Sequence, residues 1–386
     1  MSAPRLEIDL DKLQHNARTL VDRLAGLGIS VTGVMKSTLG SPEVACALLR
    51  AGVSGLADSR IENIETLRRG HVTASMTLIR SPMLSQAERV VAHADVSFNT
   101  ELDVLRKLSS VAAATGKTHG VVLMVELGDL REGILPGDLA ETVRATLRLP
   151  NLALKGIGAN LACRSGVAPS SENMGELSEL VDSIEAAFGL ELGTVSGGNS
   201  ANLTWALSGE STGRINDLRL GEAIVLGRQP LTRSPIEGLY TDAITLHAEV
   251  IEAKRKPSVP WGELAQAAFG EPPPVTDRGH VWQTILALGR QDVDVEGLHA
   301  PAGIEVLASS SDHLVLDPGS QRLAIGAEVT FQLDYGALVR AMTSPFVTQV
   351  LRDPSGRASL AGHDGEPTAG RGKGPAGGPT ASPLAG

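Results

Sequence analysis

Residues 29–36 read ISVTGVMK. The run is short, rich in β-branched residues and preceded by a glycine, which marks a buried strand, and Lys36 stands at its C-terminal end. Upstream, residues 11–25 carry Leu13, Ala17, Leu20, Val21 and Leu24 three and four apart, one apolar face of a helix. Downstream the same unit recurs. Helices are expected near 42–51, 60–69, 85–93, 101–115, 137–148 and 171–188, each followed by a short apolar run, at 54–57, 76–79, 96–98, 120–125, 152–157 and 194–196. A short helix from about 200 precedes a last run at 218–224. Counted from Ile29 this makes eight strand candidates, and alternation of this kind means parallel strands covered by helices. Eight units favour a closed (β/α)₈ TIM-type barrel over an open doubly wound sheet, and no GxGxxG opens a helix after the first strand.

The rhythm changes after about 235. Short strands are expected at 243–251, 284–288, 304–308, 313–316 and 329–333, separated by Gly, Pro and Asp, as in a compact all-β domain. The expected organisation is thus an α/β barrel over 1–234 and a C-terminal β-domain over 235–352, with 5–10 free to join the latter. Residues 353–386 form a Gly/Pro/Ala-rich tail, in which 362–386 contain Leu384 as the sole large apolar residue. Such a segment buries too little surface to offset its ordering entropy and is expected to be disordered.

The whole chain of 386 residues is 42% hydrophobic and 20% charged, ordinary values for a soluble globular protein. A net charge of −10 argues against a general nucleic-acid binder. Cys46 and Cys163 are far apart and form no CxxC, so neither a disulfide scaffold nor a structural metal site is expected, and a reducing cytoplasm suits the chain. No export signal is expected from the acidic start, and no apolar run reaches the roughly 18 residues of a membrane span.

In a barrel, chemistry sits where the strands end. Lys36 is either a strand-capping lysine that reaches into solvent or, among apolar neighbours, a desolvated amine. Ser196-Gly197-Gly198-Asn199-Ser200-Ala201 lies between a strand and a helix, where glycines let backbone N–H groups approach an anion and Ser200 adds a hydroxyl. Leu218-Arg219-Leu220-Gly221-Glu222-Ala223 ends the last barrel strand, beside that turn, and barrels commonly hold phosphate between these two loops. The fifth strand leads into Glu126–Gly133, where Arg131 either pairs with Asp129 in a solvated turn or reaches a ligand. Asn160 ends the sixth strand, and Cys163 just beyond reads as a small filler rather than a nucleophile.

With these residues in hand, the chain resembles the alanine racemase superfamily of fold type III pyridoxal-phosphate enzymes, nearest its alanine/ornithine racemase-like branch. The likeness runs over about 5–350 and is carried by Asp58-Ser59-Arg60-Ile61-Glu62-Asn63-Ile64, Glu126–Gly133, Ser196–Ser200, Leu218–Glu222 and Ser309-Ser310-Ser311-Asp312-His313. The resemblance implies a racemase with pyridoxal 5′-phosphate as cofactor and Lys36 as both its Schiff-base lysine and the base on one face of an amino-acid substrate. It places Ser200 and the backbone of Gly221 and Glu222 at the phosphate, Arg219 against the pyridine nitrogen, Asn160 along the cofactor face, and Arg131 at the phenolate oxygen or the substrate carboxylate. An arginine there keeps the pyridine nitrogen unprotonated and weakens the electron sink, which suits reprotonation at Cα. The resemblance also implies a homodimer in which a second copy completes the opposite face.

Departures bear on that face. Alanine racemases supply a tyrosine from the partner's β-domain, and the matching stretch here is Leu288-Gly289-Arg290-Gln291-Asp292, with Arg290 at the tyrosine position. The two tyrosines, Tyr240 and Tyr335, lie outside it, and a late phosphate-binding tyrosine is matched by Phe346. Asp312 and His313, then Asp292, are the remaining candidates for the second base; equally, they are polar residues of a turn. Asp312 is alternatively a partner for the distal ammonium of ornithine or another basic amino acid, with alanine as the other substrate expected. A decarboxylase or lyase on the same fold and a non-catalytic cofactor carrier are the rival readings. Arg219 speaks against the first, and the β-domain against the second.

Overall fold

The computed structural model describes residues 2–270, 276–353 and 358–360. The chain begins with β1 (Arg5–Asp9), and Asp9 caps the helix Leu10–Ala25, its Oδ1 accepting from the N–H groups of Asp11 and Lys12 at 3.1 and 3.0 Å. Eight parallel strands then close a barrel: β2 (Ser30–Val34), β3 (Gly55–Asp58), β4 (Met76–Leu78), β5 (Val96–Asn99), β6 (His119–Val125), β7 (Leu152–Ala159), β8 (Thr194–Gly198) and β9 (Asp217–Leu220). Closure is made by β9 against β2, with Ser30 opposite Asp217 and Gly33 opposite Leu220. Every residue of β6 is buried, as a strand covered on both faces requires.

A nine-stranded sheet forms the second layer: β1, β10 (Ile244–Pro257), β11 (His280–Leu286), β12 (Leu298–His299), β13 (Glu305–Ser309), β14 (Leu314–Asp317), β15 (Glu328–Leu333), β16 (Thr348–Arg352) and β17 (Ala358–Leu360). The N-terminal strand therefore sits in this sheet, antiparallel to β10 and parallel to β16. Its alternation supplies Leu6 and Ile8 to the core, both essentially inaccessible.

Three features depart from the sequence expectation. The apolar run at 218–224 is not one strand: β9 ends at Leu220, and Glu222–Leu226 is a helix buried over four residues. A short apolar run carries no period that separates the two states. The β-domain also holds a nine-residue helix, Tyr335–Thr343, capped by Asp334, whose Oδ1 accepts from Ala337 N at 2.8 Å; it buries Ala337, Leu338, Ala341 and Met342. Within the stretch read as a disordered tail, 358–360 pair with β16 as β17, while 354–357 and 361–386 lie outside the described residues.

The barrel interior is unevenly filled. Phe98, Val122 and Met124 form a small apolar cluster on one side. Near β2, β8 and β9 the interior is polar, and a cavity of ≈ 350 Å³ at the floor is bordered by Ser30, Thr32, Ser54, Thr77 and Asp217. Most barrels of this type fill that space with branched apolar side chains.

Candidate active site

The C-terminal strand ends open into a cleft of ≈ 670 Å³. Its walls include Lys36 after β2, Asn160 after β7, Ser200 after β8, and Arg219, Gly221 and Glu222 at the end of β9; Arg131 and Tyr335 also face it. The barrel residues singled out from sequence thus converge on one space.

Lys36 opens a 3₁₀ turn, Lys36–Thr38, and its side chain is exposed in the cleft. Its Nζ lies 5.5 Å from the centroid of the Tyr335 ring. Behind it stands Asp58, fully buried and accepting from Arg60 N at 2.8 Å and from Asn63 Nδ2 at 3.1 and 3.0 Å. Burial pushes the Asp58 carboxyl up to about 6, although these bonds and the Lys36 charge pull against it.

The two glycine turns meet through Ser200, whose Oγ accepts from Gly221 N at 3.4 Å and Ala223 N at 3.1 Å. With both lone pairs engaged, the hydroxyl proton remains to be donated. Glu222 is held by Arg233 in an ion pair; burial raises its carboxyl, opposed by the Arg233 and Lys36 charges.

Arg219 is only 4% exposed, and burial lowers its pKa, opposed first by the charge of Asp217. Its Nη1 donates to Ser196 Oγ at 2.6 Å and Ser196 O at 3.4 Å, and its Nη2 to Ala159 O at 2.8 Å and Asn160 Oδ1 at 3.3 Å. The guanidinium also stacks over Phe98, 5.1 Å from the ring centroid. Asn160 Oδ1 takes a second bond from Asn199 Nδ2 at 3.1 Å, which fixes the amide and leaves its buried Nδ2 with no partner among the described residues. A buried donor without an acceptor is costly in a folded protein and marks a place where a ligand completes the bond.

Arg131 is not paired with Asp129. The buried Asp129 carboxylate accepts from the N–H groups of Cys163, Arg164 and Ser165 at 3.2, 2.9 and 3.0 Å, tying the loop after β6 to the loop after β7. Burial works to raise that carboxyl, and these backbone donors together with that of Val167 bring it below its ordinary value. Arg131 is left beside Glu132 at the cleft wall, and Glu132 raises its pKa. Cys163 is no buried filler: it is exposed, lines the cleft and receives a bond from Asn199 Nδ2 at 3.5 Å.

Asp312 and His313 lie elsewhere. They occupy the turn between β13 and β14, with His313 Nδ1 2.8 Å from Asp312 Oδ1 and the His313 and Asp312 side chains 46% and 64% exposed, outside the walls of their own chain's cleft. The turn is bound to the Arg290 loop through Arg290 N to Ser310 O at 3.0 Å and Gln291 N to Ser311 O at 2.9 Å. Asp292 is buried within that loop, accepting from Gly289 N at 3.1 Å and Ser344 Oγ at 3.2 Å, and so braces it. Phe346 is exposed and lies outside the cleft walls. Ser59, Arg80, Ser81, Glu132, Arg233 and Tyr335 line the cleft although the sequence assigned none of them a role there. The first three follow β3 and β4, and the strand-end rule applied evenly to all eight strands would have found them. Tyr335 is brought there by packing of its helix against the Lys36 turn, for which a sequence offers no local signal. Burial pushes its phenol above the ordinary range. Among the described residues, no group of three or more His, Cys, Asp or Glu stands together to hold a metal ion, and no helix is long and apolar enough to cross a membrane.

A closed eight-stranded barrel with a lysine after its first strand and paired glycine turns after its last two matches the model of the alanine racemase N-terminal domain over residues 8–229, and the chain belongs to that family. Among its relatives, it is 37% identical over 352 residues to an ornithine racemase of Acetoanaerobium sticklandii, covering 90% of this chain and 99% of that protein. It is 38% identical over 352 residues to a lysine racemase of Thermotoga maritima, covering 91% and 99%. An alanine racemase from D-cycloserine-producing Streptomyces lavendulae superposes with a TM-score of 0.72 at 19% identity, covering 91% of this chain and 98% of that one. A D-threo-3-hydroxyaspartate dehydratase from Delftia sp. gives 0.72 at 16%, covering 93% and 97%. The last two establish the fold alone.

Proposed function

We propose that this protein is a pyridoxal-phosphate-dependent racemase that interconverts the L- and D-forms of a basic α-amino acid, ornithine or lysine, acting as a cytoplasmic homodimer. The observation that carries the reading is one cleft faced by an amine, a buried guanidinium, a hydroxyl with both lone pairs engaged and an unpartnered buried amide donor. That donor set suits a flat anionic heterocycle bearing phosphate. The names of the two relatives similar over nearly their whole length support the basic substrate.

Lys36 holds the cofactor through its amine and moves the Cα proton on one face of the substrate. The Ser200 hydroxyl and the backbone of Gly221 and Glu222 hold the phosphate, Arg219 the ring nitrogen and Asn160 Nδ2 the cofactor face. Arg131 neutralises the phenolate oxygen or the substrate carboxylate. Bound pyridoxal phosphate supplies the electron sink that makes the Cα proton acidic. Arg219 keeps that sink weak, since a guanidinium does not hand over its proton, and this favours return of the proton over side reactions. The lyase alternative calls for a carboxylate at the ring nitrogen, whereas Asp217 is separated from Arg219 by Ser196. On the opposite face, Asp312 and His313 of a second copy carry the proton. Their exposure on a turn braced by the Arg290 loop fits delivery to a neighbour rather than to their own cleft.

Adding pyridoxal phosphate to the purified protein is expected to produce a protein-bound absorbance band that Lys36→Ala lacks. Full racemisation by that variant would overturn the assignment.

A further inference from the structure

Arg219 sits over a floor that is not tightly packed, because the ≈ 350 Å³ cavity borders it from below. The guanidinium stacks over Phe98 on that side, and its hydrogen bonds fix its direction. One of these leads further. Asp217 and Arg219 are two apart on β9 and face the same side of the strand, the barrel interior. The Asp217 carboxylate, 7% exposed, makes no ion pair among the described residues. It accepts instead from Thr32 Oγ1 on β2 at 2.6 Å and from Ser196 Oγ on β8. These are the two strands flanking β9 in the closed barrel.

Proton count fixes the direction of these bonds. The Ser196 hydroxyl has one, and it goes to Asp217. Its oxygen must therefore face Arg219 Nη1 as an acceptor, which the 2.6 Å bond requires. An amide in place of Asp217 can present its N–H groups to Ser196, which lets the hydroxyl turn its own proton toward Arg219, donor against donor. The other acceptors of Arg219, two carbonyls and the Asn160 side chain, carry no charge, so Asp217 is the nearest formal counter-charge in this bonded chain.

We propose that Asp217 is a positioning residue for the reaction: acting through Ser196, it fixes Arg219 as a charged donor on the inner wall of the cleft. The inference rests on the functional reading above. It predicts that a residue at the barrel floor, remote from the substrate, sets how the ring nitrogen is held.

The test uses the full-length protein loaded with pyridoxal phosphate. Asp217→Asn and Ser196→Ala are each compared with wild type for thermal unfolding, absorbance of the bound cofactor against pH, and steady-state racemisation of L-ornithine. The expected result is a shifted absorbance band in both variants, with kcat lowered about ten- to a hundredfold and KM little changed. The double variant is expected to be no worse than the poorer single one, because both changes break the same chain. If Asp217→Asn does not fold, Ser196→Ala, which removes only the link, still reads the effect. Folded variants with unaltered band and kcat would overturn the proposal, as would additive losses in the double variant. A wild-type protein with neither band nor racemisation would instead overturn the functional reading on which it rests.

Discussion

The mouth of the barrel and the loop pair at the edge of the second sheet hold the two sets of polar residues that the sequence singles out, and folding treats them differently. In the barrel, Lys36, Asn160, Ser200 and Arg219 come from points up to 183 residues apart and share one cleft, because closure of parallel strands sends every strand end to the same face. In the β-domain, Arg290, Asp292, Asp312 and His313 also come together, but beside their own cleft rather than in it. An antiparallel sheet has no face where all strands end. Its loops point both ways, so shared location there brings no shared chemistry within one chain.

If the second cluster serves another copy, its loss in one chain is made good by a neighbour that retains it. The double variant Asp312→Ala/His313→Ala is expected to lose about 10²- to 10⁴-fold in racemisation, the usual contribution of a positioned acid–base group. Mixing it with Lys36→Ala under conditions of subunit exchange should then restore about a quarter of wild-type activity, since half the dimers carry one intact site of two. No recovery on mixing would place the two clusters in one site or leave the second without a role.

Burial in the barrel also ties the stability of the interior to pH. His119 is buried on β6, 2.8 Å from Ser97 Oγ, and burial lowers it to about 4 from 6.5. Because the unfolded chain binds this proton more readily, its contribution is complete above pH 6.5 and is lost as the pH falls to about 4. The difference amounts to about 3 kcal/mol by linkage. Denaturant unfolding of His119→Gln should show a flatter stability profile in that window, whatever its overall level. An unchanged slope would contradict the burial argument. By contrast, the His313–Asp312 pair is exposed, and its removal should leave stability nearly unchanged in the same measurement.

A smaller effect sharpens the account of the cleft. Ser200→Ala removes the hydroxyl that gathers Gly221 N and Ala223 N, and the affinity for pyridoxal phosphate should fall about tenfold, or ~1.4 kcal/mol, in an equilibrium titration. Unchanged affinity would move the phosphate away from these turns.

The barrel was legible because its signal is repetitive: alternation of short apolar runs and helical faces identified the fold, and strand ends identified Lys36, Ser200 and Arg219. What escaped depends on contacts between distant segments. The sequence left Arg5–Asp9 open between the barrel and the β-domain, and pairing with β10 and β16 decides its place. Asp129 beside Arg131 invited an ion pair, but three backbone N–H groups from the next loop claimed the carboxylate. Tyr335 entered the cleft from a helix hidden in a region read as strands, and Asp217 reads in sequence as the polar start of a strand.

The most direct test of the central claim is α-proton exchange in D₂O with pyridoxal phosphate across a panel of L-amino acids, followed by chiral separation. The account predicts exchange with appearance of the D-form, strongest for ornithine or lysine and absent in Lys36→Ala. Exchange with none of the panel, or exchange with complete retention of the L-form, would contradict it.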